Sequence, residues 1–302
     1  MSHGADSSKA IFFALVANGA IAASKFGAAV ITGSGSMLAE AVHSTADCGN
    51  QLLLLLGMKR AKRAPSEDYP LGYGKETYFW SFIVALLLFS MGGLFSVYEG
   101  WHKLHQPEAL SYPLLALGVL AFGIVMESIS MWGCVRELNK TRGQQTMWQW
   151  FRDTREAELL VIFGEDLAAL MGLMLAFIAV SLAWATGNPM WDAIGSIAIG
   201  VLLIVVAFFV GMEVKSLLVG QGVAPMTRDD MKAFLTAQPQ IDKVFNLRTL
   251  HMGSDVMVAI KAQMRETESA KQLIADINQV ETAFKQRFPQ TTWLFFEPDN
   301  HD

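Results

Sequence analysis

The chain has 302 residues, of which 52% are hydrophobic and only 17% charged, and its formal net charge is -5. Soluble domains carry about 25% charged residues, so this composition, with a mean hydropathy of +0.33, points to a membrane. The mild acidity and the absence of a dense basic stripe exclude a nucleic-acid footprint. Cys48 and Cys134 lie inside apolar runs with no partner at a disulfide-framework or zinc-finger spacing.

A helix crossing the hydrocarbon layer needs about 20 mainly apolar residues, because lipid cannot satisfy stray backbone polar groups. Six stretches meet that requirement in chain order: Ile11 to Thr32, Ser36 to Met58, Tyr78 to Trp101, Leu114 to Val135, Leu159 to Ala185 and Trp191 to Val219. Breaks rich in glycine, serine and proline separate them, namely TGSGS, HQPEALSYP and TGNPMW. Lys59, Arg60, Lys62, Arg63 and Lys75 crowd the loop after the second stretch, and Arg136, Lys140, Arg142, Arg152 and Arg155 the loop after the fourth. Loops of that kind stay in the cytoplasm, so both termini are expected there. The opening MSHGADSSKA has neither a signal-peptide cleavage pattern nor the Arg-rich amphipathic character of a transit peptide. A bacterial inner membrane is therefore the expected location.

After residue 220 the composition becomes that of a small soluble domain, giving an expected division into residues 1–220 and 221–302. MTRDDMKAFLTAQ reads as a helix with Thr227 as its N-cap. VFNLRTLHMG and DVMVAIKAQM read as strands joined at Gly253-Ser254, SAKQLIADINQVETAFKQRF as an amphipathic helix, and TTWLFFEP as a last strand. The order α-β-β-α-β predicts a compact α+β unit.

Charge inside a bilayer costs several kcal/mol, roughly 2.5–3.5 on insertion scales, so intramembrane ionisable residues are functional candidates. In AEAVHSTADCGNQ, His43 and Asp47 stand four apart on one helical face and Asn50 three further along. An imidazole nitrogen and a carboxylate oxygen so placed suit zinc, which takes about four N, O or S ligands. A second helix must then contribute. FGEDLAALMG places Glu165 and Asp166 in the middle of the fifth stretch. Adjacent residues point about 100° apart on a helix, and Ile162, Asp166, Ala169 and Gly172 form a narrow face suited to close packing. Asp166 is thus the expected partner, with Glu165, Asn50 or water left open as the fourth ligand. Lys25, Glu40 and Glu127 complete the ionisable set. Lys25 needs a counter-charge from Glu40 or Glu127, as an ion pair or as part of a proton path.

The stretches TGSGSMLAEAVHSTADCGNQ, YPLGYGKETYFWSF, EDLAALMG, WDAIGSIAIGVLLI and LVGQGVAP together resemble the cation diffusion facilitator family over nearly the whole chain. The resemblance implies six transmembrane helices, a cytoplasmic ferredoxin-like domain, a homodimer, and metal ligands on the second and fifth helices. His43, Asp47 and Asp166 match those ligands, while the family's fifth-helix histidine falls at Ile162. The pattern is similar to the branch with a Glu-Asp pair, which includes the mitochondrial zinc transporter. Tyr69 and Tyr73 stand where loop histidines are common, and Phe295 where the last strand often has one, leaving His251 and Glu297 as a possible remnant of a domain metal site. The implied function is secondary export of a divalent cation, zinc favoured, against protons, with no prosthetic group and no enzymatic activity. No Gly-x4-Gly-Lys-Ser/Thr motif is present for a primary pump. The oxygen-rich donor set keeps manganese, iron or cobalt as alternatives. A transport-inactive scaffold and a metal-water hydrolase are the readings from other classes.

Overall fold

The computed structural model describes the backbone of residues 3–107, 110–141 and 146–301, with side chains from Asn18 onward outside a few loop-flanking positions. Each of the six apolar stretches lies within a helical run: α1 (His3–Thr32), α2 (Gly35–Ala61), α3 (Glu76–Leu87) continuing through a π-helical segment (Leu88–Leu94) into α4 (Phe95–His105), α5 (Pro113–Thr141), α7 (Ala157–Thr186) and α8 (Met190–Val219). Among the described residues, four runs are long and apolar enough to cross a membrane: Glu76–His105, Pro113–Arg136, Ala157–Thr186 and Met190–Val219. The middle of α2 carries Glu40, His43, Asp47 and Asn50, which lowers its hydropathy. Gly33 and Gly187 hold positive φ values at the breaks after α1 and α7. In both places glycine ends a helix in the left-handed conformation that a side chain disfavours.

Two compact units divide the chain, one of 1–56, 80–147 and 158–213, the other of 57–79, 148–157 and 214–302. In the first, small residues bring backbones together. A Cβ at Gly93 would stand 2.6 Å from Ile204, and one at Gly200 would stand 2.6 Å from the Val97 amide, so the Glu76–His105 run and α8 pack almost backbone to backbone. Met37, Leu88, Leu120, Leu173, Ile199 and Leu203 fill the space among the helices. The N-terminal end of α2 is anchored by Asp192, in the first turn of α8. Its Oδ1 accepts from the Ser34 hydroxyl at 2.6 Å, and its Oδ2 accepts from the Gly35 amide at 2.6 Å. A carboxylate there satisfies amide donors that a helix start leaves open and sits at the positive end of the helix dipole.

The second unit contains α6 (Met147–Asp153), a short helix that the sequence did not announce, and α9 (Pro225–Thr236), β1 (Ile241–Met252), β2 (Asp255–Met264), α10 (Ala270–Arg287) and β3 (Thr291–Pro298). The expected N-cap Thr227 lies inside α9: the helix begins at Pro225 after Ala224, with no side-chain cap. Proline lacks an amide that would go unbonded in the first turn and has a preset φ, so it starts the helix three residues earlier than a Thr227 cap would. Strand order is β1-β2-β3, antiparallel between the first two and parallel between the last two. Val256, Val258, Ile260 and Ala262 alternate inward along β2 against Met231 and Leu235 of α9 and Val280 and Phe284 of α10. The turn at Gly253, with φ +77°, lies against Gly74: the Tyr78 hydroxyl accepts from the Gly253 amide at 3.0 Å and donates to its carbonyl at 3.2 Å.

Candidate functional site

Helical spacing lines up Glu40, His43, Ser44, Asp47 and Asn50 along α2. His43 is fully buried, and its Nδ1 stands 3.5 Å from Asp47 Oδ1. Neither ring nitrogen has a hydrogen bond, and Asp47 Oδ1 and Asn50 Oδ1 are likewise buried and unmatched. Buried polar groups are nearly always satisfied, and these unmatched atoms gather on one face of α2.

From α7, Glu165 is the residue that touches α2: its Oε1 accepts from Asn50 Nδ2 at 2.5 Å. Asp166 turns toward α5 and accepts from the Ser130 hydroxyl at 3.2 Å. The helical-face argument from sequence had Asp166 meeting α2 squarely, and the geometry reverses the two roles. Glu165, with its longer stem, shares the buried face with Ala168 and Gly172. Ile162, at the position of the family's histidine, is 36% exposed and outside the cavity wall.

The two acids nevertheless share one space. A cavity of about 230 Å³ is lined by Asp47 and Ser44 of α2, Glu127 and Ser130 of α5, Glu165 and Asp166 of α7, and Asn18 of α1. Four carboxylates surround it and no lysine or arginine lines it. Among the described residues, no three His, Cys, Asp or Glu side chains converge closely enough to hold one ion. The four carboxyl side chains are spread around the cavity wall.

Lys25 and Glu40 form the ion pair anticipated for one of two glutamates. Lys25 Nζ stands 3.3 Å from Glu40 Oε2 and donates to Ser44 Oγ at 2.7 Å, and both charged side chains are at most 1% exposed. Glu127 is thereby left to the cavity. Ser44, which touches both the ion pair and the cavity, and Asp192, which anchors α2, were not singled out from sequence. The spacing of Ser44, four residues after Glu40, was the available signal for the first.

In the second unit the possible metal remnant is ruled out by register. His251 pairs with Val256 on β2, whereas Glu297 pairs with Lys261. Five residues at about 3.3 Å each separate those levels by about 17 Å, too far to share an ion. His251 Nδ1 instead lies 3.4 Å from the Gly253 carbonyl, and Tyr69 and Tyr73 pack ring on ring at 4.6 Å.

Long apolar helices enclosing a carboxylate-lined cavity define an integral membrane protein with an acidic polar interior. The chain belongs to the cation efflux family, whose transmembrane domain matches residues 11–219. It is 30% identical over 247 residues to the mitochondrial proton-coupled zinc antiporter SLC30A9 of Mus musculus, covering 81% of this chain and 44% of the relative. To metal tolerance protein C4 of Arabidopsis thaliana it is 29% identical over 249 residues, covering 82% and 54%. To the cation-efflux pump FieF of Klebsiella pneumoniae it is 26% identical over 287 residues, covering 91% and 90%. The chain thus spans about half the length of the zinc antiporter and metal tolerance relatives. These relatives put it with the mitochondrial zinc transporter-like branch of the family.

Proposed function

We propose that the protein exports a divalent cation, zinc first, in exchange for protons, with His43, Asp47, Asn50, Glu165 and Asp166 forming the transport site. The observation that carries this reading is the set of unmatched acceptors on α2 facing acids of α7 inside an apolar bundle. Metal ligands must be deprotonated, so cation entry releases protons from imidazole and carboxyl groups, and cation exit allows their return. That exchange is the coupling an antiporter needs. The names of the zinc antiporter and cation-efflux relatives support the same reading.

On this reading α1 and α2 also cross the membrane, giving six spans with both termini in the cytoplasm of a bacterium and residues 221–302 as a separate cytoplasmic domain. The working unit is a homodimer, and alternating access moves the bundle around the site. An exporter of manganese, iron or cobalt is the second reading, favoured by the oxygen-rich cavity. The test is zinc uptake into inside-out vesicles under an imposed pH gradient. Asp47→Ala and Asp166→Ala each abolish uptake if the assignment holds, and wild-type uptake in either variant would overturn it.

A further inference from the structure

We infer that Glu127, on the fourth span, is a direct ligand of the transported cation and fills the coordination role that Ile162 vacates on the fifth. The inference rests on the transport reading of the α2–α7 site and adds a third helix to it.

Glu127 has a defined direction. Phe122, Val125, Ile129 and Trp132 are 56%, 57%, 58% and 65% exposed, forming the outward stripe of α5. At about 100° per residue, position 127 lies roughly opposite the centre of that stripe. Glu127 and Ser130, one turn apart, therefore point inward, and both line the cavity shared with Asp47, Glu165 and Asp166. Ser130 donates to Asp166, which fixes the α5–α7 distance at that level.

The alternative partner for Glu127 is taken. Lys25 passes Gly123, where a Cβ would stand 3.5 Å from its Cε, yet its ammonium goes to Glu40 and Ser44. A carboxylate inside an apolar bundle without a counter-ion is costly, and no cationic side chain lines this cavity. Independent of the acids, fully buried His43 leaves both nitrogens open beside Asp47, and fully buried Asn50 leaves Oδ1 open beside Glu165. His43 and Asn50 thus flank the cavity-lining Asp47 and Glu165, and a cation among the carboxylates supplies the counter-charge that the cavity wall lacks.

A coordination shell drawn from α2, α5 and α7 would be rich in carboxylate oxygen. The contribution of Glu127 should therefore weigh more for hard Mn²⁺ than for Zn²⁺. The experiment measures binding of Mn²⁺ and of Zn²⁺ by chelator competition on purified full-length protein, comparing wild type with Glu127→Gln, Glu127→Asp and Asp47→Ala. Glu127→Gln is expected to weaken Zn²⁺ at least tenfold and Mn²⁺ further, while Glu127→Asp retains more affinity than the amide. Affinity within twofold of wild type in Glu127→Gln, or equal loss in Glu127→Asp, overturns the inference. Loss in Asp47→Ala alongside an unaffected Glu127→Gln leaves the α2–α7 site standing, whereas wild-type binding in Asp47→Ala overturns that site as well. If Glu127→Gln does not fold, carbodiimide labelling of the wild type read by mass spectrometry decides. Zn²⁺ protects Glu127 if it is a ligand, and equal labelling with and without Zn²⁺ overturns the assignment.

Discussion

Replacing Lys25 with methionine removes one partner of a charge pair with essentially no access to solvent. Glu40 is 0% exposed, its Oε2 is 3.3 Å from Lys25 Nζ, and its Oε1 already lacks a hydrogen bond. Breaking a buried pair by deleting one member costs about 3–5 kcal/mol, because a charge is left without compensation. In a chain of this size each kcal/mol lowers the melting midpoint by about 2 °C, so Lys25→Met should melt roughly 6–10 °C lower. Glu40→Met alone should behave similarly, since it strands the ammonium. The double variant Lys25→Met with Glu40→Met should recover most of the loss, because well-packed apolar replacements for a buried pair are often neutral. The assay is the apparent melting temperature of the purified protein in detergent at a fixed scan rate. A Lys25→Met protein as stable as wild type, or a double variant no better than the sum of the singles, would refute the reasoning.

Asp192→Ala deprives the Ser34 hydroxyl and the Gly35 amide of their acceptor, so it should cost about 0.5–2 kcal/mol in the same melting assay, with Asp192→Asn recovering part. Tyr78→Phe removes both hydrogen bonds to Gly253 and should cost about 1–3 kcal/mol locally, read as faster limited proteolysis at the Gly253-Ser254 turn. Gly74→Ala should act more strongly on that turn, because its Cβ would fall 1.8 Å from the Met252 carbonyl oxygen. Burial holds the His251 imidazole below its ordinary range; the Gly253 carbonyl opposes that and Arg155 reinforces it. As pH falls below about 6.5 the unfolded chain takes up the proton first, so stability present at neutral pH is lost toward the lower folded value. Hydrogen exchange of β1 in the full-length protein, corrected for intrinsic rates, should show less protection at acid pH, and His251→Gln should flatten that dependence.

Among the described residues, apolar length marked where the long helices lie, four of them long and apolar enough to cross a membrane, and the α-β-β-α-β order followed from hydrophobic periodicity. The spacing of His43 and Asp47 was likewise enough to place their side chains 3.5 Å apart. Features governed by contacts between distant segments were not legible. The π-helical segment at Leu88–Leu94 lies where Gly93 meets Ile204, and no local pattern in LFSMGGL announces it. Whether Glu165 or Asp166 touches α2 depends on the rotation of α7, which its neighbours set. Lys25 pairs with Glu40 of α2 although its own helix packs against α5, which carries Glu127, a choice that no local pattern announces. Thr227 lost the helix start to Pro225 because backbone preorganisation outweighed a hydroxyl cap.

Proton coupling through the acidic cavity is most directly tested in liposomes holding the purified protein and a trapped pH indicator. With external zinc as the only gradient, inward zinc movement should drive protons outward and raise the internal pH, and Asp47→Ala should abolish both fluxes. Zinc accumulation with no change in internal pH would contradict antiport, and so would a pH change that persists in Asp47→Ala.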